Sequence, residues 1–61
     1  MPYIDIKVAG QLSSEQKSDI AAEVADTMER IAKKPKSATY ITFTEIPRSS
    51  WAKNGELLDP T

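Results

Sequence analysis

Apolar and polar positions alternate at the start of the chain. Ile4, Ile6 and Val8 fall on one parity; Tyr3, Asp5 and Lys7 fall on the other. A period of two rich in β-branched residues predicts a half-buried strand over Tyr3 to Val8. Ala9-Gly10-Gln11 supplies the break after it. The period then changes. Ile20, Val24, Met28 and Ile31 recur at spacings of four, four and three, beside Ala21, Ala25 and Ala32. This is one apolar stripe on an otherwise polar helix. Ser13 with Gln16 reads as a capping box, and Glu15 adds negative charge where the helix dipole favours it. The predicted helix runs through EQKSDIAAEVADTMERIAKK, a length of ~30 Å. Lys33 and Lys34 suit its negative end, and Pro35 stops it.

A second alternation covers Ala38 to Glu45. Ile41 and Phe43 face one side, and Tyr40, Thr42 and Thr44 the other, with Pro47 ending the run. In the tail, Asn54-Gly55 lies between the short apolar pieces Trp51-Ala52 and Leu57-Leu58, the chemistry of a small hairpin. The order strand, long helix, strand predicts a βαβ unit with parallel strands and a right-handed crossover. The fold class is therefore α/β, an α+β two-layer unit with a short C-terminal hairpin.

Two strands do not make a self-sufficient sheet. If the helix covers one face, the face carrying Tyr3, Tyr40, Thr42 and Thr44 is bare in a single copy. The 61 residues form one domain at most, and a domain so short buries too little surface to be more than marginal. Small scaffolds lean on disulfides, metals or partner chains. There is no cysteine and no histidine, so the first is excluded and the commonest soft metal ligands are missing. Association with further copies is the route left, and the sheet is expected to be completed that way.

Charge removes other classes. The net charge is -1 with both signs interspersed, which lacks the basic stripe of a nucleic-acid binder. No apolar run approaches the roughly 20 residues of a membrane span. Asp5 and Lys7 interrupt what would be a signal peptide's apolar core. The expectation is a cytoplasmic protein with no cofactor and no metal.

A proline after Met1 opening a strand, SSEQK opening the helix, ITFTE in the second strand and an aromatic-Gly-Glu-Leu tail together resemble the tautomerase superfamily. The small 4-oxalocrotonate (2-hydroxymuconate) tautomerase type is the nearest match, and the likeness covers essentially the whole chain, residues 1–61. The resemblance implies that the methionine is removed and that the freed secondary amine of Pro2 is a general base. That base moves a proton in a 1,3- or 1,5-keto–enol transfer on a 2-hydroxydienoate or enolpyruvate-like acid, without cofactor. It also implies arginines that hold carboxylate and carbonyl, an aromatic wall, and homo-oligomers, usually hexamers built as trimers of dimers, with sites across subunit boundaries. In a chain without histidine or cysteine, an N-terminal amine is also the most plausible base on chemical grounds.

Carried over by position, Pro2 takes the catalytic place and Trp51 the wall, where the family usually has phenylalanine. The two family arginines are absent. Leu12 stands at one position and Tyr40 at the other. Tyr40 offers a hydrogen bond but no charge. Arg48, three residues before Trp51, is the best substitute cation, ahead of Lys7 and Lys36. The candidate site is therefore Pro2 with Tyr40, Arg48 and Trp51 for substrate. Losing both arginines costs several kcal/mol of carboxylate recognition, from ~1.5–3 kcal/mol per charged bond, so the expectation is either a less charged substrate or a weak, promiscuous tautomerase. Two alternatives stay open on the same scaffold: a dehalogenase- or hydratase-like lyase, and a non-catalytic oligomer. The second follows from Leu12, Tyr40 and a Met1 that still precedes Pro2.

Overall fold

A computed structural model describes residues 1–59. Strand β1 spans Tyr3–Ala9, helix α1 Ser14–Ala32, strand β2 Tyr40–Ile46, and the short strands β3 and β4 Ala52–Lys53 and Glu56–Leu57. β1 and β2 pair in parallel, Tyr3 opposite Tyr40 through Ala9 opposite Ile46. β3 and β4 pair antiparallel. The expected βαβ unit with a terminal hairpin is what forms.

Local chemistry sets each boundary. The Ser13 hydroxyl accepts from Gln16 N–H at 3.1 Å, and the Gln16 side chain accepts from Ser13 N–H at 2.8 Å. Both bonds satisfy donors that a helix start otherwise leaves open. At the other end Lys33 turns into the left-handed region (φ 60), and Lys34 N–H donates to Met28 C=O at 3.2 Å. Asn54 and Gly55 both have positive φ, the geometry that a two-residue hairpin turn demands.

Strand β2 differs from expectation at its start. Lys36–Ala38 form a 3-10 turn, so Ala38 precedes the strand. Pro35 is the reason. Its carbonyl accepts both Ala38 N–H at 3.1 Å and the Thr39 hydroxyl at 2.9 Å. A local partner on each side competes with the sheet.

The two faces of the sheet separate as parity dictates. Glu45 forms an ion pair with Lys17 of α1, which identifies the Ile41-Phe43-Glu45 side as the one under the helix. The opposite face carries a polar network. Asp5 accepts from Lys7, from Thr42 Oγ1 and Thr44 Oγ1 at 2.8 Å each, and Tyr3 Oη lies 3.1 Å from Thr42 Oγ1. Thr42 has one hydroxyl proton and gives it to the carboxylate, so Tyr3 must donate to Thr42. Led by Lys7, these bonds hold the Asp5 carboxyl down from an ordinary 3.8 to about 2. The sign follows directly. A depressed carboxylate stabilises the fold above its ordinary range, and that contribution is lost as pH falls from about 4 toward 2. Melting curves across that window should show stability dropping in acid, with a shallower drop for Asp5→Asn.

The chain is not closed upon itself. No described residue is fully buried, and the protomer exposes 4697 Å², against about 3,900 Å² for a compact chain of its mass. Its radius of gyration is 14.5 Å, against about 10.5 Å for a compact chain of this length. Ile31, part of the expected stripe, is 65% exposed, as are Tyr3 at 67% and Tyr40 at 57%. The helix explains Ile31. Its 19 residues run ~28 Å, whereas a seven-residue strand runs ~23 Å, so the last turn overhangs the sheet.

Candidate active site

Parallel pairing assembles one group at the start of the strands. Pro2 C=O accepts Tyr40 N–H at 2.9 Å, one step before the Tyr3–Tyr40 pair. That bond fixes residue 2 at the open end of the sheet. Pro2 is half-buried and Met1 is 87% exposed.

A second group forms where the strands finish. Gly10 N–H donates to Ile46 C=O at 2.9 Å, bringing the β1 exit beside the end of β2. Leu12 N–H donates to Glu45 Oε2 at 3.3 Å, and Lys17 completes the Glu45 pair. These two partners, Lys17 foremost, hold the Glu45 carboxyl below its usual range. Pro47 turns the chain into a 3-10 turn over Arg48–Ser50, and Trp51 N–H donates to Arg48 C=O at 3.2 Å. Arg48 Nε donates to Asp59 Oδ1 at 3.2 Å.

The four sequence candidates therefore lie in two places. Pro2 and Tyr40 share one end of the sheet; Arg48 and Trp51 share the other. The six residue steps of β2 between the two ends amount to ~20 Å. The described residues of one protomer enclose no cavity between them. Lys7 lies on the polar face against Asp5. Lys36 lies beside Asp26 at 3.3 Å. Asp5 and Glu45 fall on opposite faces and form no acid pair.

Lys17 and Glu45 were missed as a pair, although the signal was present. Lys17 precedes Ile20 by three and Val24 by seven, so it heads the half-buried stripe. Glu45 continues the parity of Ile41 and Phe43. A lysine and a glutamate on facing surfaces pair.

Trp51 Nε1 is buried without an acceptor among the described residues. Leaving a donor unsatisfied costs about 1–3 kcal/mol. Trp51→Phe should therefore leave stability unchanged or raise it by about 1 kcal/mol in denaturant titrations, and it keeps an aromatic ring at this position.

The protomer is a small βαβ unit that leaves one sheet face and both strand ends open, with a proline at the head of β1. Known chains share this fold over nine-tenths or more of their length. The family model described as tautomerase enzyme matches residues 2–59. The chain belongs to that family and is a tautomerase, an isomerase. A probable tautomerase of Streptococcus agalactiae is 35% identical over 57 residues, covering 93% of this chain and 95% of that one. DmpI from Helicobacter pylori superimposes with a TM-score of 0.86 at 25% identity, over 93% of this chain and 90% of the other. A heterohexameric 4-oxalocrotonate tautomerase from Chloroflexus aurantiacus gives 0.87 at 21% identity, over 95% and 94%, a likeness of fold.

Proposed function

We propose that removal of Met1 frees the secondary amine of Pro2 and that this amine is the general base of a cofactor-independent keto–enol tautomerase. The substrate is an enol acid of the 2-hydroxydienoate or enolpyruvate kind. Pro2 takes a proton from the enol and returns it to carbon one or two double bonds away. The observation that carries this reading is the pairing of an exposed Met1 with a Pro2 whose carbonyl is held by Tyr40 N–H. The bond to be cut is open to solvent, while the base left behind is fixed in place. A free α-amino group titrates near ~8, and a secondary amine is more basic. Desolvation in a covered site lowers that value toward the working pH.

The same reading has residues 1–61 acting as one cytoplasmic domain in a homo-oligomer, with a hexamer of three dimers favoured. The separated strand ends support it, because only a second copy can bring Arg48 and Trp51 to Pro2 and Tyr40. So does the heterohexamer of the Chloroflexus aurantiacus relative. Intact mass of the protein from its own host tests the proposal. The expected chain begins at Pro2 and ketonises phenylenolpyruvate. A chain that retains Met1 there sinks it.

A further inference from the structure

We infer that the substrate carries one carboxylate on an apolar body, and that Arg48 holds that single charge. This rests on the tautomerase reading above and narrows it. The sequence already lacks charge at Leu12 and Tyr40. The structure adds that the cations nearest the two strand ends come paired with acids of the same chain: Lys7 with Asp5, Lys17 with Glu45, Lys36 with Asp26 and Arg48 with Asp59.

These pairs are not equivalent. Lys17 is the more enclosed, with its side chain 35% exposed, and Glu45 also takes Leu12 N–H. That pair is built into the junction of helix and sheet. Arg48 is half exposed and spends only Nε on Asp59. The two terminal nitrogens of its guanidinium remain as a planar fork suited to one carboxylate. Trp51 follows within the same turn, so the charge sits beside an indole.

The other end is different in kind. Tyr40 is 57% exposed, and its phenol makes no side-chain hydrogen bond among the described residues, whereas Tyr3 spends its proton on Thr42. Tyr40 is thus the phenol free to donate to a substrate oxygen. The cation nearest that end in sequence, Lys36, is tied to Asp26. A second carboxylate placed there would meet a phenol and a lysine already tied to Asp26, which desolvation penalises. An aromatic or alkyl body meets the exposed Tyr40 ring instead.

The test compares kcat/KM for phenylenolpyruvate, with one carboxylate and a ring, and 2-hydroxymuconate, with two, on protein verified to begin at Pro2. The expected ratio favours the mono-acid at least tenfold, the scale of one charge-assisted contact. Arg48→Ala should raise KM for the mono-acid at least tenfold with a smaller change in kcat, and Arg48→Lys should recover part of that loss. Tyr40→Arg should shift the ratio toward the diacid at least tenfold. A ratio below tenfold, or a preference for the diacid, overturns the inference while leaving the tautomerase intact. Turnover of neither substrate overturns the tautomerase reading itself and the inference with it.

Discussion

Replacing Pro2 with alanine should lower kcat/KM for an enol acid about a hundredfold, with little change in fold. Removing a general base typically costs 10²–10⁴-fold. Alanine at the same position still presents an α-amine, so the loss belongs at the low end of that range. What disappears is the ring, which raises the basicity and fixes the direction of the lone pair. The fold should tolerate the change because the sheet uses the carbonyl of residue 2, accepting Tyr40 N–H, and alanine keeps that carbonyl. A chain forced to keep Met1 should lose more, since an amide nitrogen is no base. Mass-verified protein, circular dichroism and steady-state ketonisation together check this. Activity within threefold of the parent would remove Pro2 from the mechanism.

Truncating Phe43 to alanine should have the largest effect on stability. Phe43 lies opposite Ile6 in the parallel pair and on the helix side of the sheet that Glu45 and Lys17 define. Burying a phenylalanine fully is worth 3–5 kcal/mol on truncation. Phe43 is half-buried in the protomer, so about 2–3 kcal/mol is expected. At ~0.05–0.15 kcal/mol per residue, a domain of this length has only about 3–9 kcal/mol in all. The variant should therefore lose about a fifth of its stability or more. If copies complete the sheet, its melting temperature should depend on protein concentration more steeply than the parent's. Thr42→Ala, on the polar face, is the control and should cost less. A Phe43→Ala cost below about 1 kcal/mol would show that the helix does not rely on this seam.

The fold was legible because two periods did most of the specification. Alternation in Tyr3 to Val8 and in Ile41 to Glu45 assigned each side chain a face before any pairing was known. The stripe through Ile20, Val24 and Met28 assigned the helix. What escaped depended on partners that periodicity does not encode. The late start of β2 came from Pro35 C=O collecting Ala38 and Thr39. The exposure of Ile31 came from a helix longer than the strands it crosses.

The candidate site divides in the same way. Pro2 and Trp51 became candidates by resemblance, and the Pro2–Tyr40 neighbourhood exists only through parallel register. Lys17 with Glu45 could have been read by combining the helix stripe with strand parity. Arg48 with Asp59 could not, because eleven residues and a hairpin separate them without a repeating pattern. The proposed meeting of opposite sheet ends is also invisible in one sequence, since it concerns how copies associate.

The central claim is that the free Pro2 nitrogen is the base. Its most direct test is nitrogen NMR of protein carrying isotope-labelled proline, titrated alongside the pH profile of kcat/KM. Pro2 should titrate as a secondary amine, and its midpoint should coincide with the acid limb of the rate profile, activity appearing as the amine loses its proton. A Pro2 signal that stays at an amide position through the titration, or a midpoint that departs from the kinetic limb, would contradict the account.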